Sequence, residues 1–300
     1  MKNYTRTLVR DIKAAAQIGH IESLWAAVDG LAQVPEVKGN HPLNDSFIVQ
    51  VIVPAAQALS GPRVSRSALI PLVTHDKTAI RAVASSAMVL HFLKGINGTS
   101  LADLRMLAKE PRQEVREAVV QVCQQAATSH PEKLSELVTA WQTESSPRLQ
   151  SIAIRLMPGL PKEEAAHTLK QLAKIELPAD PEIRTALEQT INQLGQNKAD
   201  ADAIQILQLW SETPETFYWV IARCLAKGWA AAYPDEAMPI LTRLAAEKGP
   251  KKKIRNALQS FQHHGASATV LETIQAWQTS EDANLRLAGE DAFNKLIENA

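Results

Sequence analysis

The sequence predicts an all-α fold, a stack of about seven to eight two-helix units with no sheet. Three observations predict it. Alanine and leucine dominate, with Gln, Glu and Lys, while aromatic residues make up only 5% and glycine supplies 12 of 300 residues. Those are helix formers, whereas strands favour β-branched and aromatic residues. The tetrapeptide Ala140-Trp141-Gln142-Thr143 returns as Ala276-Trp277-Gln278-Thr279, 136 residues or four periods of 34 later, with Leu209-Trp210-Ser211-Glu212 between. Each copy leads into a polar turn and an amphipathic stretch.

The second helix of each unit carries the rhythm. One position recurs at Arg81, Arg116, Gln150, Arg184, Tyr218, Arg255 and Arg286, with separations of 35, 34, 34, 34, 37 and 31. The residue before it is always apolar: Ile80, Val115, Leu149, Ile183, Phe217, Ile254, Leu285. Two and three residues after it come apolar or small side chains, and again after six and seven, as in Val122/Cys123 and Leu156/Met157. That is the stripe of a helix with one buried face. One and five residues after it stand mostly polar side chains, the expected outward column. Prolines mark the starts at Ser146-Pro147 and Asp180-Pro181, where a missing N–H costs nothing. Met157-Pro158-Gly159-Leu160-Pro161, Gly61-Pro62 and Gly249-Pro250 punctuate other units. Pro54 should kink or end its helix. Pro35 to Asp45 reads as a loop, and Val49 opens a looser copy. A single array over 1–300 is expected, with 1–42 as an irregular N-terminal cap and 43–300 as regular repeats; terminal repeats are atypical because they close the stack.

The period, the paired helices and the polar turn before an Ile/Val-Arg pair resemble HEAT repeats. Asp76-Lys77-Thr78-Ala79-Ile80-Arg81 is the nearest match, with an inter-helix Asp five residues before a basic one, and Glu281 stands likewise before Arg286. Pro111, Ser145, Thr213 and Pro250 replace the acid elsewhere. The resemblance spans roughly 43–300. It implies a right-handed α-solenoid whose repeated arginines brace adjacent repeats, and it says almost nothing of function.

Charge narrows the partners. Lys plus Arg is 32 and Asp plus Glu is 32, for a formal net charge of zero. Nonspecific nucleic-acid binders carry excess positive charge, so any such patch here is local. No apolar run is long enough to span a membrane, and the start, with Arg6, Arg10 and Lys13, does not read as a secretory signal; a cytoplasmic location is expected. Cys123 and Cys224 fall in the buried stripe and read as reduced core residues. No His pair has metal-ligand spacing, and no nucleotide or hydrolase motif occurs, so neither metal, cofactor nor catalytic residue is assigned. Trp141, Trp210 and Trp277, at the ends of first helices, are expected in the core.

One unit departs from the pattern. In Phe217-Tyr218-Trp219-Val220-Ile221-Ala222-Arg223, tyrosine replaces the basic residue and Trp219 takes an outward position, with Arg223 one turn on. Irregular stacking could bury Trp219; partner binding could equally use it. Lys251, Lys252 and Lys253, with Lys248 and Arg255, form a basic cluster that reads as a solvated turn or as a contact for phosphate or an acidic partner. The candidate binding residues are Trp219, Arg223, Tyr218, Lys227, Lys251, Lys252 and Lys253. The expected function is a non-catalytic scaffold that engages a protein or peptide on the concave face of the array. The alternative is a nucleic-acid binding or repair protein resembling HEAT-like alkylpurine DNA glycosylases. In that reading Tyr218, Trp219 and Trp229 stack on bases while Arg223 and Lys227 hold phosphate. That family's catalytic motif is absent, and the sequence does not specify oligomeric state.

Overall fold

A computed structural model describes residues 2–33, 45–172, 180–197, 199–212 and 217–296. Every regular element among them is helical, and no strand occurs among the described residues. The chain packs into two compact units, Met1–Leu160 and Pro161–Ala300. No described helix is long and apolar enough to cross a membrane.

The first unit runs α1 (Lys2–Ile18), α2 (Ile21–Asp29), α3 (Asp45–Phe47), α4 (Val53–Leu59), α5 (Arg66–Val73), α6 (Thr78–Lys94), α7 (Leu101–Leu104), α8 (Gln113–Ala126), α9 (Pro131–Gln142) and α10 (Pro147–Leu156). Most of the loop expected at Pro35 to Asp45 lies outside the described residues; Asp45 itself begins α3. Pro54 does not end its helix. A π-helical segment, Ile48–Ile52, joins α3 to α4 and places the proline in the first turn of α4. The bond that proline cannot donate thus falls where the ladder changes register.

At the centre of this unit lies α6, which packs on α4, α5, α8 and α9. The outward column fails there: Ala82 and Ser86 are completely buried. A single-stripe pattern assumes one covered face, whereas the small residues of Ala82-Val83-Ala84-Ser85-Ser86-Ala87 let neighbours close on α6 from several sides. His91 is buried on the same helix, its Nε2 3.2 Å from the Leu59 carbonyl oxygen. Burial pushes its imidazole pKa below the ordinary value of 6.5.

The recurring polar position has a common task. In Arg81, Arg116, Gln150 and Arg286 its side chain donates to the carbonyl six residues earlier, in the turn before the helix. Arg81 Nη1 reaches the carbonyls of His75 at 2.9 Å and Asp76 at 3.2 Å. Arg116 Nη1 reaches Glu110 at 2.7 Å, Gln150 Nε2 reaches Glu144 at 2.8 Å, and Arg286 Nη1 reaches Ser280 and Glu281 at 2.7 and 2.8 Å. Helix ends leave carbonyls without donors, and a donor held one turn into the next helix supplies them. The Asp76 carboxylate faces His75 and Lys77 instead. Arg81 also grips Glu110 of the next unit through Nε at 2.9 Å and Nη2 at 3.3 Å.

In the second unit stand α11 (Lys162–Leu172), α12 (Pro181–Gln196), α13 (Asp200–Ser211), α14 (Tyr218–Leu225), α15 (Pro234–Ala246), α16 (Lys251–His263), α17 (Ser267–Gln278) and α18 (Ala283–Leu296). The Asp180 carboxylate opens α12 by accepting from the N–H groups of Glu182 and Ile183, the expected start with Pro181 in the first turn. From α12 onward each helix packs on the next or the next but one: α12, α14, α16 and α18 in succession, and α13, α15 and α17 likewise.

Trp141, Trp210 and Trp277 are buried, as their repetition predicts. Trp210 stacks on Phe217 with ring centroids 4.8 Å apart, and Trp277 Nε1 donates to Thr242 Oγ1 at 2.9 Å. Cys123 and Cys224 are free and buried, and burial pushes both thiols well above their ordinary pKa.

Arg81→Ala takes the ion-pair partner from the buried Glu110, leaving it the Arg112 N–H as a donor, and removes the guanidinium from two turn carbonyls; it should destabilise the chain by about 1–3 kcal/mol, and an unchanged urea midpoint would remove the bracing role. Both cysteines should resist thiol reagents until denaturant is added, because neither forms thiolate. Stability should also depend on His91. Its folded pKa lies below the unfolded value, so the unfolded chain takes up the proton first as pH falls through about 6.5. The melting temperature should therefore drop below that pH, with a shallower slope in His91→Gln.

Candidate cation–aromatic binding site

Three alternate helices of the second unit, α12, α14 and α16, meet at Trp219. The residue sits in the first turn of α14, half-buried. Arg223 follows one turn later on the same face, with its guanidinium carbon 4.5 Å from the indole centroid. From α12 the guanidinium carbon of Arg184 approaches to 5.9 Å, and from α16 the ammonium of Lys253 approaches to 6.0 Å. Each such contact contributes about 0.5–2 kcal/mol, according to how well water is excluded.

Beneath the cations lies one carboxylate. Glu188, one turn beyond Arg184 on α12, is only 6% exposed, and its Oε2 lies 2.7 Å from Arg223 Nε. A buried carboxylate needs such a partner, so Glu188 and Arg223 hold each other and Arg223 is fixed over the indole. The Cys224 thiol, 3.9 Å from the Glu188 carbonyl oxygen, packs behind them. Among the described residues Arg184 and Lys253 have no ion-pair partner. The cluster therefore holds three cations against one acid, and it presents the surplus charge beside an aromatic ring.

Of the residues that the sequence singles out, the structure brings together Trp219, Arg223 and Lys253. Tyr218 is 7% exposed; it occupies the position that Arg81, Arg116, Gln150 and Arg286 hold in other units. Lys227 is exposed just after α14, and Lys251 and Lys252 are exposed in the first turn of α16. None of these three is among the cations over the ring. Trp229 is committed elsewhere: its Nε1 donates to Asn192 Oδ1 at 3.1 Å, and its indole lies where a Cβ on Gly195 would be, at 2.3 Å.

Arg184 and Glu188 are the two members that sequence reasoning did not place here. Arg184 was absorbed into the bracing set. Glu188 carried no clear signal: the equivalent position holds Ser85, Val120, Ile154, Ala222, Gln259 and Glu290 in the other units, polar as often as apolar. Among the described residues no group of His, Cys, Asp or Glu side chains is placed to hold a metal ion. No protein-family model matches the chain, and no curated protein matches it.

Glu188→Gln removes the charge that pins Arg223 and should lower stability by about 1–3 kcal/mol. Arg184→Ala, which leaves no buried group unpaired, should stay within about 0.5 kcal/mol of wild type. Denaturant titration of the two variants separates the pinned cation from the free one; equal losses would contradict the division.

Proposed function

We propose that the chain is a non-catalytic helical-repeat scaffold of the HEAT-like type, with its second helices forming rows along one binding face, and that it engages an acidic protein or peptide segment at the Trp219 cluster. The observation that carries this reading is the convergence of Arg184, Arg223 and Lys253 on one half-buried indole, with a single carboxylate among them. Trp and Arg anchor interfaces more often than other residues, and surplus cations favour a carboxylate-rich partner.

The nucleic-acid alternative rests on the same cations and needs exposed aromatic faces for bases. Tyr218 is buried, Trp229 packs on Gly195, and Arg223 covers the indole of Trp219. That arrangement favours a carboxylate-bearing segment over stacked bases.

The test uses fluorescence anisotropy with a short fluorescein-labelled peptide rich in Asp and Glu, and in parallel a labelled single-stranded oligonucleotide. Arg184→Glu with Lys253→Glu should weaken peptide binding at least about thirtyfold, the loss of roughly 2 kcal/mol expected of an anchor. The melting temperature should change little. Peptide binding indifferent to that double reversal would defeat the reading. Tighter binding of the oligonucleotide, with a steep salt dependence, would favour the alternative.

A further inference from the structure

A second feature of this unit lies apart from Trp219. A cavity of about 240 Å³ opens among the end of α15, α16, α17 and α18. Its walls include Leu258, Trp277 and Ala292, all buried, and Leu287 stands at the mouth, 52% exposed. An apolar cavity of about 150 Å³ already admits benzene, so this one has room for an aromatic ring and a substituent.

The polar rim is cationic. Arg255 and Asp291 line the cavity and neutralise each other at 2.8 Å. Lys248 and Lys251 line it too, and neither has an ion-pair partner among the described residues.

Lys248 is held there against its backbone preference. It adopts φ +58°, the left-handed region, in a Schellman turn: its N–H bonds the Ala245 carbonyl, and Gly249 N–H bonds the Leu244 carbonyl at 2.7 Å. The same turn closes α6 with Gly95 and α16 with Gly265 at that position, at φ +65° and +98°. Glycine takes this conformation without strain and lysine does not. Of these three turns, the one at the cavity rim places a cationic side chain there.

We propose that this cavity binds a small aromatic monocarboxylate, with its ring against Trp277 and Leu258 and its carboxylate at Lys248 and Lys251. The pairing follows from an apolar interior about one substituted ring in size beneath a rim with two unpaired ammonium groups. The site is independent of the Trp219 cluster, and its failure would leave the peptide reading untouched.

The test is isothermal titration of the full chain with phenylacetate and with its neutral isostere phenylacetamide. Phenylacetate should bind saturably, and the amide at least about tenfold more weakly, the scale of a charge-assisted contact. Leu287→Trp, which fills the mouth from an exposed position, should abolish binding, whereas Arg184→Glu should leave it unchanged. Lys248→Gly should raise the melting temperature, by relieving the strained turn, and at the same time weaken phenylacetate severalfold. A lysine with only a structural place in the turn would not show that opposition. Equal binding of acid and amide, unchanged affinity in Lys248→Gly, or no saturable binding of phenylacetate would each overturn the proposal. So would a peptide ending in phenylalanine that bound while phenylacetate did not, because the cavity would then belong to protein termini.

Discussion

Every helix ends with carbonyls that its own ladder cannot satisfy, and a stack of short helices meets this problem at each turn. At four turns among the described residues one side chain near the start of the following helix reaches back six residues to supply a donor. Gln150 makes the same bond as Arg81, Arg116 and Arg286. The shared element is therefore hydrogen bonding to a carbonyl; charge is an addition. That bond fixes the turn geometry, and the turn fixes where the next helix lies. Where the guanidinium has donors to spare, as in Arg81, it also reaches the next unit through Glu110.

Elsewhere in the second unit the recurring position is put to other uses. Tyr218 fills it with a buried ring, and Arg255 turns to Asp291. Arg184 lies over Trp219. The Trp219 cluster and the cavity at α16 both occur around these three repeats. A phenol or an arginine directed elsewhere changes what the neighbouring helix face presents, and here that face presents cations.

Much of this was legible in the sequence. The period and the burial of Trp141, Trp210, Trp277, Cys123 and Cys224 follow from apolar spacing, because a repeated side chain meets a repeated environment. Trp219 was legible as a departure from that spacing, Arg223 as its neighbour in the outward column, and Lys253 as one of a run of lysines. The outward column failed at Ala82 and Ser86, since periodicity records how many faces are apolar and small side chains are ambiguous on that point. Arg184 and Glu188 escaped because their partners lie in the next repeat, so only packing reveals the pairing. The left-handed Lys248 was illegible for another reason: the Schellman turn is usually announced by glycine, and here the glycine comes one residue later.

Zero net charge conceals how the charges are spent. Several acids serve helix starts: Asp103 in a capping box with Ser100, Asp180 on α12, Asp282 on the N–H groups of Asn284 and Leu285. These placements suit the positive end of the helix dipole. At α16 the rule is reversed. Its start has Pro250 without a side-chain cap, then Lys251, Lys252 and Lys253, with no acid in the first turn. Each cation there opposes the dipole by roughly 0.3–1 kcal/mol, and the strained Lys248 stands just before. Lys253 points to Trp219 and Lys251 to the cavity. One uncapped, cation-rich helix start thus adjoins both features, and an anion at either would supply the negative charge that α7, α12 and α18 receive from Asp103, Asp180 and Asp282.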